Sequence, residues 1–582
     1  MADAYMIPTS KKEVDALGWD YIDIIFFTGD AFVDHPSFGS AVLSRWLQKW
    51  GYRVAVVPQP NWRDDLRDFR KLGRPRLYFA LNAGAMDSMV NHYTASKRLR
   101  HDDAYTPDGK AGARPDYAVN VYTGILKKLY PDVPVVIGGI EASMRRLAHY
   151  DYWKDALLPS ILVSSGADYL AYGMGEKVLL ELTRAIEARR SEHDIRQIPQ
   201  IGFFAKGQSK AKDAIVLHSY EDCLKDKRKV AENYHIIEIQ ANLMHASTLV
   251  EPCGDGYVQI NPPFPPPTTE EMDSYSDLPY TKLPHPRYKG KRIPAYDMIK
   301  FSICLHRGCF GGCNFCTLAL QQGKFISSRS EESIIAEIKR LVRHPEFAGN
   351  ISDVGAPSAN MYGMRGKDPS LCEKCRRQSC LFPALCKNMN TDHSRLTALY
   401  QRIDQIKGVR HSYVSSGVRY DLFLGKDGYL DPSSKPYLQE LVLHHTSGRL
   451  KVAPEHTEDR VLRYLGKPSF KLFTRLRTEF DRINREAGTH VELVPYFISG
   501  HPGCRMQDME ALSRNPSLRG LYMDQVQDFT PTPMTASSVM FYTGLDPRTM
   551  EPVFVERNID RKRTQKSFFF KNSQNNSFKS KK

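Results

Sequence analysis

Hydrophobic positions in the first 200 residues fall in short unbroken runs that end in glycine or turn residues. YIDIIFFTG (21–29), RVAVVPQP (53–60), RLYFALNAG (76–84), PVVIGG (134–139) and ADYLAYGMG (167–175) each read as a strand buried on both faces. SFGSAVLSRWLQKWG (37–51) instead repeats its apolar residues at helical spacing and closes on Gly51. Strands alternating with helices predict a doubly wound, Rossmann-like domain over residues 1–200. Residues 201–292 lose this period. NPPFPPPTT (261–269) is too rich in proline for a helix or a central strand, so this stretch is expected to be an irregular connector. A second series begins near residue 293, with candidate strands MIKFSICL, NISDVGAP, RHSYVSSGVR, RLKVAPEH, HVELVPYFISG and DQVQDFTPT. Helical stretches such as EESIIAEIKRLVRH separate most of them. Six β/α repeats predict a partial (β/α)6 barrel of the TIM type over residues 293–556, interrupted by a Cys-rich insertion at 365–390. In such barrels the chemistry sits at the C-terminal ends of the strands. Residues 557–582 read as a basic, disordered tail. The expected fold class is therefore α/β, a doubly wound domain followed by a partial barrel.

Composition changes this picture little. With 41% hydrophobic and 25% charged residues the chain is globular. No apolar run is long enough to span a bilayer, and the first residues lack a signal-peptide core, so no membrane partner and a cytoplasmic location are expected. The net charge is +15, but the segment Arg561–Lys582 holds eight Lys or Arg and no acid. More than half the charge is thus the tail, and the case for a nucleic-acid partner rests on that segment.

The cysteines change it more. There are eleven, an odd number that argues against a disulfide framework. RGCFGGCNFC places Cys309, Cys313 and Cys316 on one short loop after the first barrel strand. Gly308, Gly311 and Gly312 let that backbone wrap closely. Iron–sulfur clusters are commonly held by four thiolates, so three leave one iron open to a ligand. A structural zinc site would need a fourth ligand. Cys304 falls within the strand and is expected to be a small buried side chain.

C-x3-C-x-aromatic-C resembles the signature of the radical S-adenosylmethionine (SAM) enzymes. QGKFISSRSEES, DVGAPSANMYG, SGVRYDL, LKVAPEHT, ISGHPGC and DFTPTPMTASSVMFYTGLDP resemble, in order, motifs of the YgiQ-type radical SAM family, as do NPPFPPPTTEEMD, GDAFVDHPSFG and VIGGIEASMRR. Longer family members carry a further C-terminal region. The resemblance implies a [4Fe-4S] cluster on Cys309, Cys313 and Cys316. It implies that SAM bound at the open iron is cleaved to a 5′-deoxyadenosyl radical that abstracts hydrogen from a substrate the family does not define. An electron donor such as flavodoxin or ferredoxin is the expected reductant. Position at strand ends then nominates SAM-binding residues: Gly355, Pro357, Ser358 and Asn360 for the amino group, Ser416 and Arg419 for the ribose or carboxylate. Glu455 is nominated for the ribose hydroxyls, against an ion pair with Lys451 or Arg419. Gly500, Pro502 and Gly503 would let the adenine approach the backbone.

Cys372, Cys375, Cys380 and Cys386 form a second crowd, with an auxiliary Fe–S cluster, zinc or no metal all open. In the N-terminal domain, His35 lies in VDHPSFG, which does not meet the D-x-H-x-x-G pattern of cobalamin binders. A loop or pocket role is expected for it, and turn or packing roles for Gly138, Gly139 and Glu176. Rival readings are methylthiotransferase-like tRNA modification and a non-catalytic Fe–S or zinc RNA-binding scaffold.

Overall fold

The computed structural model describes residues 6–424, 430–523 and 526–577. The chain forms two compact units, one of Met1–Gln240, His245–Pro265 and Asp273–Lys300, the other of Ala241–Met244, Pro266–Met272 and Phe301–Lys582.

In the first unit the five glycine-terminated runs are strands: β1 (Ile24–Thr28), β2 (Val54–Pro58), β3 (Tyr78–Asn82), β4 (Val135–Gly138) and β5 (Tyr169–Ala171). They pair in parallel in the order β2-β1-β3-β4-β5. Every residue of β1, β2 and β3 is buried, as a parallel sheet covered on both faces requires. Helices α1 (Gly39–Lys49), α2 (Ala118–Leu129) and α3 (Gly175–Glu187) supply cover. On α3, Val178, Leu182 and Ala185 recur on one buried stripe. Each large apolar side chain so buried contributes about 1.5–3 kcal/mol.

The stretch expected to be an irregular connector is not one. It adds β6 (Ile201–Lys206), β7 (Ile215–Val216), β8 (Leu249–Cys253) and β9 (Gly256–Ile260), which extend the same sheet in the order β5-β6-β9-β8-β7. The β8–β9 hairpin turns through Gly254–Asp255, a turn signal that the neighbouring prolines overshadow in sequence.

In the second unit each expected barrel run contributes a strand: β10 (Ser302–Cys304), β11 (Asp353–Gly355), β12 (His411–Ser412), β13 (Arg449–Glu455), β14 (Glu492–Ser499) and β15 (Val526–Asp528). Parallel pairing follows chain order. β10 pairs β11, and Asn350–Ile351, just ahead of β11, pairs β12. A parallel bridge joins Val418 to Val452, and β13, β14 and β15 pair in turn. Helices α4 (Glu331–Leu341), α5 (Ser394–Asp404), α6 (Ser434–His444) and α7 (Lys471–Ala487) lie between strands. On α7, Phe473, Leu476, Phe480 and Ile483 form the buried stripe that fixes its face.

The expected disordered tail is instead helix α8 (Ile559–Ser577), which packs against β14 and β15. Lys562, Gln565 and Phe569 are buried along one face, and the Phe569 ring lies 5.4 Å from Phe497. The spacing of these three residues is helical, and the surrounding positive charge masks it in sequence. Residues 578–582 of the expected tail lie outside the described residues. No helix among the described residues is long and apolar enough to cross a membrane.

Candidate cluster-binding site

The three-cysteine loop leaves β10 and is pinned along its length. Cys309 N donates to Gly323 O (3.1 Å), Asn314 N to Leu465 O (3.0 Å), and Cys316 N to Cys313 O (3.2 Å). Asn314 Nδ2 also donates to Tyr464 O (2.8 Å). The glycines leave no room for larger residues. A Cβ on Gly311 would lie 2.5 Å from Arg419 Nη1 and 3.3 Å from Cys309 Sγ. Gly312 has φ +61°, and a Cβ there would lie 2.7 Å from the Ser379 side chain.

Arg419, at the end of the segment after β12, reaches the thiols. Its Nη1 donates to Cys313 Sγ (3.3 Å), while Nε and Nη2 form a bidentate pair with Asp421 (2.9 and 2.6 Å). Asn360 fixes the Arg419 backbone at both ends, accepting from its N (2.8 Å) and donating to its O (3.0 Å). The Asn360 side-chain amide is thereby committed to the protein and positions Arg419. Ser358 Oγ lies 3.7 Å from Cys309 Sγ, and its carbonyl is 3.1 Å from His306 Nε2.

Burial pushes the Cys316 thiol up to about 12. It raises Cys309 too, with Arg419 opposing. Thiols in such surroundings become thiolates when a metal cation binds them. Three sulfur donors on one short loop, glycines that leave no space for a Cβ, and one guanidinium on a sulfur fit an Fe–S cluster in donor chemistry. Among the described residues, no three His, Cys, Asp or Glu side chains converge as a ready site for a single ion.

The other nominated residues divide. Gly355 and the half-buried Pro357 stand at the end of β11, next to Ser358. A Cβ on Gly355 would run into Ser416 and Asp353. Ser416 Oγ donates to the Asp353 carboxylate, so its hydroxyl hydrogen is spent within the protein. Glu455 is buried and pairs with Lys467 at 3.6 Å, with Arg419 acting on it electrostatically. Burial raises its carboxyl, with Lys467 opposing. The Gly500–Gly503 turn departs from expectation most. The space over Gly500 is filled by Lys562, whose neighbour on α8, Gln565, accepts from Gly500 N (3.1 Å). The space over Gly503 is filled by the Tyr464 ring, and Pro502 between them is buried. The space directly beside both glycines is thus taken by side chains of the chain itself.

Cys304 is exposed, not buried as expected. The β10 alternation puts Ile303 and Leu305 in the core and Cys304 on the other face. Sequence reading missed Asp353, Asp421, His306 and Lys467, which matter through pairing. Asp421 alone carried a signal, standing two residues after Arg419. Cys372, Cys375, Cys380 and Cys386 all line one cavity of about 560 Å³. In the first unit, His35 is buried and its Nδ1 accepts from Ser37 N (3.1 Å). Gly138 and Gly139 pack closely on Ala171 and Asn82, and the Glu176 carbonyl accepts from Trp46 Nε1 (2.9 Å).

Residues 6–302 match the family model described as Radical SAM N-terminal, and residues 524–579 match a domain of unknown function, DUF3362. A UPF0313 protein of Bacteroides thetaiotaomicron is 54% identical, covering 97% of this chain and 93% of its own. The UPF0313 protein YgiQ of Escherichia coli K12 is 42% identical, with 97% and 83% covered. The solved structure of the radical SAM methyltransferase TsrM from Kitasatospora setae, with cobalamin and a [4Fe-4S] cluster bound, aligns at a TM-score of 0.49. Its identity is 15%, over 89% of this chain and 74% of that one. With such identity to sequence relatives along nearly its whole length, this chain belongs to the YgiQ-type radical SAM family.

Proposed function

We propose that the protein is a radical SAM enzyme whose [4Fe-4S] cluster is held by Cys309, Cys313 and Cys316. The observation that carries this reading is the loop itself, which offers three sulfur donors and no fourth, in a chain of a radical SAM family. When bound, the cluster supplies an open iron and the electron that splits SAM to methionine and a 5′-deoxyadenosyl radical able to take hydrogen from a substrate.

The chain's own part is to hold and shield. Arg419 donates to the Cys313 sulfur, and Asp421 and Asn360 keep the guanidinium in place. Ser358, beside Cys309, and the Gly355–Pro357 turn take the SAM amino and carboxylate end. Glu455 is the candidate acceptor for the ribose hydroxyls, with Lys467 holding its charge. Phe315, next to Cys316, keeps water from the thiols. The test is anaerobic reconstitution with iron and sulfide, then dithionite and SAM. The intact protein should release 5′-deoxyadenosine and Cys313→Ser should not. Equal release by both would remove the loop from the mechanism.

A further inference from the structure

We propose that Cys372, Cys375, Cys380 and Cys386 hold a second iron–sulfur cluster, a [4Fe-4S] centre ligated by four protein thiolates.

Four residues spread over fifteen positions of an insertion with little regular structure meet at one place. All four line the same cavity, of about 560 Å³. Each pair is folded tightly: Cys375 N donates to Cys372 O (3.2 Å) and Cys386 N to Cys380 O (2.7 Å). The insertion is also anchored. Cys380 N donates to Phe310 O (3.0 Å), and Ser379 Oγ to Gly311 O (2.6 Å), so Cys380 is held against the backbone of the first loop. An insertion serving only as a linker has no use for four thiols around one chamber.

Cavity size and lining point to a cluster as the occupant. Zinc binds thiolate sulfur at about 2.3 Å, so a tetrahedral site brings its sulfurs within about 3.8 Å of one another. The cavity is far roomier than one ion needs. Its lining matches a cluster in charge and polarity. Lys324, Arg377 and Lys387 bring positive charge to what would be an anionic centre, and Phe325, Leu385 and Met389 provide apolar cover. Cys309, Cys380 and Cys386 all pack against the apolar group that includes Phe310, Leu381 and Met389, so this one group touches both sets. Four thiolates leave no iron open. Such a centre carries electrons and binds no SAM.

The test is metal and sulfide analysis of anaerobically reconstituted protein. The intact chain should hold about eight irons and eight sulfides. The variant Cys309→Ala/Cys313→Ala/Cys316→Ala should keep about four of each, with an electron paramagnetic resonance signal that ignores SAM. The variant Cys372→Ala/Cys375→Ala/Cys380→Ala/Cys386→Ala should keep about four irons, with a signal that shifts when SAM is added. Circular dichroism checks that each variant folds, and the triple variant decides the matter if the quadruple one does not. A folded triple variant with no iron, or with one zinc and no sulfide, overturns the proposal. An intact chain holding about four irons that respond to SAM overturns it while leaving the radical SAM reading standing. About four irons that ignore SAM would do the reverse.

Discussion

The two cysteine sets belong to the same unit and are made of the same donor, yet they are built differently. The first is a taut loop. Its glycines leave no space for a Cβ, Arg419 donates to one sulfur, and three donors are all it offers. The second set lies on an insertion with one short helix, Pro369–Glu373, and lines a half-open cavity with four donors. The difference teaches that donor count and fit, not the presence of cysteine, separate a reactive site from a closed one. Three sulfurs leave an iron for a substrate, and four close it.

The largest expected effect breaks the comparison outright. Cys316→Ala should abolish 5′-deoxyadenosine formation, measured by chromatography, while Cys375→Ala leaves SAM bound and its cluster's SAM-dependent signal intact. Next comes Arg419→Leu, which strands the buried Asp421 carboxylate. Removing one member of a buried pair costs about 3–5 kcal/mol, so thermal unfolding should move down markedly and cluster loading at the first loop should fall. Smaller effects follow from adding one methyl group to either set. Gly311→Ala would press on Arg419 and Cys309 and should reduce iron at the first loop only. Gly366→Ala would press on Cys372 Sγ and should reduce iron at the second only.

The smallest effect sharpens the contrast between the units. The second unit buries His306, His393, His456 and His501, whose imidazoles are pushed down to about 4, 4, 3 and 3 by desolvation. The unfolded chain protonates them near their ordinary value of 6.5, so their contribution is intact above that pH and is lost as pH falls toward 3–4. Each can steepen the loss by up to about 1.4 kcal/mol per pH unit. The first unit buries His149 alike, but also Glu251, pushed up to about 8, and Asp30, to about 6, by burial. These carboxyls contribute fully below their ordinary values, and the contribution is lost as pH rises through 8 and 6. Hydrogen exchange at pH 7.5 and 5 should therefore show the second unit losing protection first on acidification. Equal loss in both units would contradict this.

Much of the fold was legible because buried parallel strands are written as uninterrupted apolar runs, as in VAVVP and YFALN. The hairpin of β8 and β9 was not, since Pro252 and Glu251 interrupt its apolar run beside a proline-rich stretch. Helix α8 was hidden in the same way by its charge. At the site, the thiol loop was legible from spacing alone. The hydrogen-bond partners of Asn360, Ser416 and Gly500 were not, because each lies far off in sequence: Arg419, Asp353 and Gln565. Strand-end position nominates a residue without showing what already occupies its hydrogen bonds.

The account turns on an iron that the three-thiolate loop leaves open. Electron–nuclear double resonance of the reduced protein with SAM labelled with nitrogen-15 at its amino group tests it most directly. The account predicts a hyperfine coupling between the label and the cluster, absent in Cys313→Ala. A reduced cluster on an intact loop that shows no coupling to the bound label would contradict it.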